Sequence, residues 1–142
     1  MRTIQLSLIV ILLAAVVWLP SKAQQSNKSA AGAQSQVGRG RYIVESVAMC
    51  EQCHTRRDEH GNPDRAHWLM GGPVNYRPSY SDPSWAQREP RLAGAPPGTD
   101  AEFIRLLTTG ISRTGLPPNP PMPPFRMTRE DAEAVLAYLR SL

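Results

Sequence analysis

Thirteen of the chain's 14 prolines lie between residues 63 and 124, and their spacing confines helix to three stretches: before residue 56, from 99 to 110, and from 128 onward. Between residues 56 and 98 come Gly-Asn-Pro at 61–63, Gly-Gly-Pro at 71–73 and prolines at 78, 83, 90, 96 and 97, so irregular backbone is expected over most of this segment. Structureless stretches of this length are uncommon in compact domains. The segment is therefore a functional loop or one wrapped on something large, with Trp68, Tyr76, Tyr80 and Trp85 as available contacts. From Gly115 to Phe125, six prolines in eleven positions make an extended strap that is stiff without internal hydrogen bonds.

The three remaining windows carry helical patterning. Gly40, Ile43, Val47 and Cys50 fall at i, i+3, i+7 and i+10, one stripe of a helix, with Arg39, Arg41 and Glu45 for the wet side. Thr99-Asp-Ala-Glu forms a capping box, Phe103, Leu106 and Leu107 supply an apolar side, and Gly110 ends that helix. The last helix opens at Thr128, with Asp131 expected to complete the cap, and Ala132, Val135, Leu136, Leu139 and Leu142 form its predicted buried stripe.

Residues 1–23 read as a secretory signal: Arg2, then an uninterrupted apolar run from Leu8 to Leu19, then Pro20 ahead of Ser21-Lys22-Ala23, a small-x-small cleavage pattern. Twelve apolar residues cover roughly 18 Å of a hydrocarbon core about 30 Å thick, so cleavage is favoured over an N-terminal anchor. Residues 24–35, rich in Gln, Ser and Ala without apolar period, are expected to be a flexible linker with no ordered structure, leaving one domain at 36–142. Its core is modest, since only 6% of residues are aromatic, and a cofactor would help fill it. Removing Arg2 and Lys22 from the 16 basic residues leaves 14 against 12 acidic ones, a net charge of +2, which does not argue for nucleic acid. Lys28 is then the single lysine, so any basic docking surface is built from arginine.

Cys50-Glu51-Gln52-Cys53-His54 is the Cys-x-x-Cys-His pattern of covalent haem attachment. Two thiols three residues apart on one turn reach the two vinyl groups of a porphyrin, and the next residue projects its imidazole at the iron from the same side. A thioredoxin-like dithiol is the first alternative. It belongs at a helix N-terminus after a strand, whereas these cysteines end a helical stripe. A zinc site using Cys50, Cys53, His60 and His67 is the second, with histidines seven apart rather than three to five. His60 and His67 read better as exposed loop residues.

With these residues in view, positions 37–142 resemble the class I cytochrome c family. Gly40 and Tyr42 match its first helix, Cys50 to His54 its haem motif, Pro90-Arg91-Leu92-Ala93-Gly94 its Pro-x-Leu-x-Gly loop, Pro121-Met122-Pro123-Pro124-Phe125 its methionine strap, and Tyr138 the aromatic where the last helix meets the first. The interval from His54 to Pro90 is longer than in compact members. The resemblance implies an all-α fold in which N- and C-terminal helices cross over one covalently bound haem c, with a middle helix and long loops. It implies that the Pro90 carbonyl accepts a hydrogen bond from the His54 ring, that Leu92 packs on the haem face, and that His54 and Met122 are the axial iron ligands. Of the other methionines, Met1 lies in the leader, Met49 adjoins Cys50, and Met70 and Met127 stay as competitors.

An iron with both axial positions filled has no open site for substrate, so the resemblance implies an electron-transfer protein, not an enzyme. Its expected partners are redox proteins: a dehydrogenase or quinol-linked donor, and an oxidase or another cytochrome as acceptor. Its expected place is the periplasm, without stable membrane insertion once the signal is cleaved. The alternative is a tightly bound cytochrome subunit of a periplasmic or membrane-bound dehydrogenase, with the 56–89 loop as docking surface.

Overall fold

A computed structural model describes the backbone of residues 22–142 and the side chains of residues 30–142. The expected leader, residues 1–23, therefore lies almost wholly outside the described residues. The chain divides at Ala33, and of the first unit only residues 22–33 are described.

Helix α1 runs from Lys22 to Tyr42, so residues 24–35, expected to be an unordered linker, are helical instead. The physical reason is local. Ala, Gln and Lys are good helix formers, and no proline or β-branched run interrupts them before Val37. Side chains 30–36 are exposed, so propensity rather than burial accounts for the helix there. No helix among the described residues is long and apolar enough to cross a membrane.

After Tyr42 the chain widens into a π-helical turn, Ile43–Val47. That turn corrects the predicted stripe. Ile43 and Val44 are buried, while Val47 is 57% exposed, because one wider turn rotates every later side chain out of the 3.6-residue register. Met49 then takes a positive φ of 47°, and the short helix α2, Glu51–His54, begins with Cys50 at its N-cap. The cysteines thus open a helical turn rather than end one.

The segment from 56 to 98 is mostly irregular, as its prolines require. It holds a 3₁₀ turn at Arg65–His67 and a two-residue antiparallel ladder, β1 (Gly72–Pro73) on β2 (Arg88–Glu89), with Gly72 opposite Glu89. Helix α3, Asp100–Thr109, has the full predicted capping box: Thr99 accepts from the Glu102 N–H, and the Glu102 carboxylate accepts from the Thr99 N–H at 2.8 Å. Gly110 ends it in the left-handed conformation.

Helix α4, Arg129–Arg140, is capped by the Thr128 hydroxyl accepting from the Asp131 N–H, but the Asp131 carboxylate turns away to Arg39 at 2.9 Å. That hydrogen bond holds Asp131 below the usual carboxylate range. The interaction is therefore present above the ordinary carboxylate pKa and is lost as pH falls through the lowered value. Ala132, Val135, Leu136 and Leu139 are buried as predicted, whereas Leu142 lies beyond the helix end and is half exposed.

Helices α3 and α4 pack together, and the Arg140–Asp100 ion pair links them at the surface. Where α1 crosses α4, Gly40 is the contact point: a Cβ there would stand 1.9 Å from the Ala134 carbonyl oxygen and 2.8 Å from the Tyr138 Cβ. The Tyr138 hydroxyl reaches back to Glu45 at 2.5 Å. One core joins Ile43, Val44, Leu69, Leu92, Phe103, Leu107 and the inner face of α4. Gly40→Ala is expected to lower unfolding stability by about 1–3 kcal/mol through overpacking of this crossing, read as a lower denaturant midpoint with unchanged slope.

Candidate functional site

The π turn and the left-handed Met49 deliver Cys50, Cys53 and His54 to one apolar cavity. Its walls include Leu92 from the loop after β2, Phe103 and Leu107 from α3, Met122 and Phe125 from the strap, and Val135 and Leu139 from α4. The cysteines are not joined to each other. Burial, with the neighbouring Glu51 charge, pushes the Cys50 thiol up to about 12, the opposite of what a thioredoxin-like nucleophile needs despite its N-cap position. The zinc alternative also loses its ligands: His60 is exposed, His67 is paired with Asp64 at 2.7 Å, and among the described residues no group of three or more His, Cys, Asp or Glu is placed to hold a metal.

His54 is buried, and its Nδ1 lies 2.8 Å from the Pro90 carbonyl oxygen. That oxygen only accepts, so Nδ1 carries a proton, and in the neutral imidazole Nε2 is the nitrogen that holds the lone pair. The backbone beneath this contact is fixed by a segment that the sequence reading took only as punctuation. Gly71 donates its N–H to the His54 carbonyl at 2.8 Å, and a Cβ at Gly71 would stand 2.5 Å from the Glu89 carbonyl oxygen and 2.7 Å from the Pro90 carbonyl carbon. Leu69, fully buried, accepts from the Leu92 N–H at 2.8 Å and donates its own N–H to the Thr55 hydroxyl at 2.9 Å.

Met122 lines both this cavity and an adjoining cleft shared with Arg88, Glu89, Pro90 and Arg113. Met127 also reaches the cavity wall, but its N–H is bonded to the Leu107 carbonyl at 3.0 Å and it packs on the core. Met49 is on the rim and half exposed, and Met70 is exposed away from the cavity lining. Glu89 was not foreseen. It is buried, with Oε2 4.0 Å from His54 Nε2 and Oε1 without a hydrogen-bond partner.

The sequence model of the cytochrome c family matches residues 37–142. The chain belongs to the cytochrome c family. Among its relatives, a protein named diheme cytochrome c-type from Cereibacter sphaeroides is 51% identical over 35 residues, covering 25% of this chain and 12% of its own length. The fructose dehydrogenase cytochrome subunit of Gluconobacter japonicus is 27% identical over 114 residues, covering 73% of this chain and 21% of its own length. The chain thus spans about a fifth or less of either relative. This cytochrome c domain has the all-α architecture of class I members, and membership implies covalently bound haem c, electron transfer and redox partner proteins.

The residues present fit that group. Two unpaired cysteines, a histidine fixed through Nδ1 and a thioether side chain share one apolar cavity, a donor set suited to porphyrin attachment and soft iron ligation. Gly71 is the supporting residue that sequence reasoning passed over. The Gly-Gly-Pro at 71–73 carried the signal, because a paired glycine beside a proline marks a backbone that approaches another closely. Gly71 also has φ +73°, so Gly71→Ala adds both a clash and backbone strain. The expected result is a loss of at least about 1–2 kcal/mol in unfolding stability and a shifted His54 Nδ1–H resonance, both measurable on the purified protein.

Proposed function

We propose that this domain is a periplasmic one-electron carrier holding one haem c, attached through Cys50 and Cys53 and ligated by His54 and Met122, and that residues 1–23 direct its export. The observation that carries this reading is the His54–Pro90 hydrogen bond beside a cavity lined by both cysteines and Met122. When bound, haem c supplies reversible one-electron chemistry. The chain's own part is to hold and shield. Cys50 and Cys53 tether the group, the Pro90 carbonyl keeps the imidazole in one tautomer and orientation, and Leu92, Phe103, Leu107 and Leu139 keep water away. Pro121 and Pro123 stiffen the backbone around Met122 before its sulfur is engaged, so little further entropy is lost there. With His54 and Met122 both holding the group, its iron would have no position open to a substrate.

The likeness to a dehydrogenase cytochrome subunit over most of the chain supports a second reading, in which the domain receives electrons within a stable dehydrogenase complex. Electron transfer from a diffusing carrier depends on ionic strength, because docking is small in area and steered by arginines. A complex that co-purifies at high salt identifies the subunit instead.

Two outcomes test the site. Protein expressed with a c-type maturation system is expected to keep the mass of one haem after denaturation, and a bare-polypeptide mass overturns the assignment. In that holoprotein, Met122→Ala is expected to lose the weak near-red ferric band of methionine sulfur ligation, to lower the reduction potential and to let the ferrous protein bind carbon monoxide. Met127→Ala, which removes core contact, is expected to cost about 1–3 kcal/mol of stability and leave the band in place. Retention of the band in the Met122 variant transfers the ligand role to another methionine.

A further inference from the structure

The long loop between the strands carries a tyrosine that the electron-transfer reading does not use. Strands β1 and β2 form the neck of this loop, and the Val74 N–H donates to the Gln87 carbonyl at 3.1 Å just above it. Within the loop the Tyr76 hydroxyl lies 2.9 Å from Cys53 Sγ, across 23 positions of sequence. Two further contacts hold Tyr76 there, and a third holds its loop. The Trp85 indole N–H donates to the Tyr76 carbonyl at 3.1 Å, the two rings meet edge to face at 5.9 Å and 81°, and the Ala86 N–H donates to the Pro120 carbonyl at 2.7 Å. The last bond ties the loop to the strap that carries Met122.

We propose that Tyr76 is the hydrogen-bond donor to the sulfur of Cys53, and that through this bond the loop sets the reduction potential of the attached group. The inference rests on the covalent attachment proposed above. A thiol can donate or accept, but a thioether sulfur can only accept, so attachment at Cys53 assigns the proton of this contact to the phenol. A phenol, with an ordinary pKa of about 10, keeps that proton at neutral pH. A donor on the sulfur withdraws electron density from the ring substituent and favours the reduced form, as hydrogen bonds around a redox centre do generally. A role confined to packing needs only the tyrosine ring. The hydroxyl is what separates the two.

The test uses the holoprotein. Tyr76→Phe keeps the ring and removes the donor, so the mass is expected to show haem still attached, while the equilibrium constant for reduction falls about threefold, about 28 mV at 59 mV per tenfold for one electron. Tyr80→Phe, which removes an exposed hydroxyl from the same loop, is expected to leave the potential unchanged. An unchanged potential in Tyr76→Phe, or an equal shift in Tyr80→Phe, overturns the proposal. Where Tyr76→Phe yields no holoprotein, proton NMR of the ferrous wild-type protein decides. A slowly exchanging Tyr76 hydroxyl proton close to the Cys53 β-protons supports the bond, and its absence overturns it. A wild-type mass without haem instead overturns the attachment reading, and is read before any variant is made.

Discussion

One hydrogen bond, from His54 Nδ1–H to the Pro90 carbonyl at 2.8 Å, joins two halves of the chain that nothing in local sequence brings together. The histidine ends a four-residue helix, and the carbonyl belongs to an irregular loop 36 positions later. Neither element is stable alone: α2 is a single turn, and the β1–β2 ladder is two residues long. What fixes them is the backbone layer between. Gly71 bonds the His54 carbonyl, Leu69 bonds the loop after Pro90, and the Thr55 hydroxyl bonds Leu69. Each of these groups satisfies a buried polar atom of its neighbour, so displacing one exposes another to the cost of an unmade hydrogen bond. A cavity wall can then be irregular and still hold an imidazole in one orientation.

The helices act on this arrangement from outside. Gly40 lets α1 approach the α4 backbone closely, and α4 in turn presents Val135 and Leu139 to the cavity. Gly94 donates its N–H to the Leu139 carbonyl at 2.7 Å, which ties the loop after Pro90 directly to α4. The helix crossing, the loop and the cavity therefore form one connected set. The Gly40 contact does not line the cavity, yet it lies on the helix that carries the cavity residues Val135 and Leu139.

Much of this is legible in the sequence. The Cys-x-x-Cys-His pentapeptide, the Thr99 capping box and the proline strap each carry a local physical signature, and each fixes backbone within a few residues of itself. The errors have the opposite character. Val47 was assigned to the core by a 3.6-residue count, and the π turn at Ile43–Val47 broke that count in favour of Val44. Asp131 was read as the reciprocal half of a cap, but its carboxylate is taken by Arg39, 92 positions away. Residues 24–35 lacked an apolar period and were read as unstructured, although helix propensity alone can set backbone where no face is buried. Glu89 and Gly71 escaped notice, and Tyr76 was seen only as one of four loop aromatics, because what distinguishes them is a contact across the long loop, and no pattern within the loop encodes its partner.

None of the four aromatics of the long loop lines the apolar cavity, so the loop is ordered by other contacts. Trp68 packs on the core with Arg65 stacked 4.0 Å from its ring, while Trp85 and Tyr76 pair with each other farther along, and Tyr80 is left to solvent. Two of the four loop aromatics thus serve one another rather than the core. An edge-to-face pair contributes on the order of 1 kcal/mol beyond its area, which is small against the ordering of the fourteen positions from 74 to 87. The loop is held instead by its ends: the ladder at its neck, the Ala86 bond to the strap and the Tyr76 contact with Cys53. Two of these anchors, the strap and Cys53, lie on elements that bear cavity residues, so the order of the loop depends on the order of the cavity beside it.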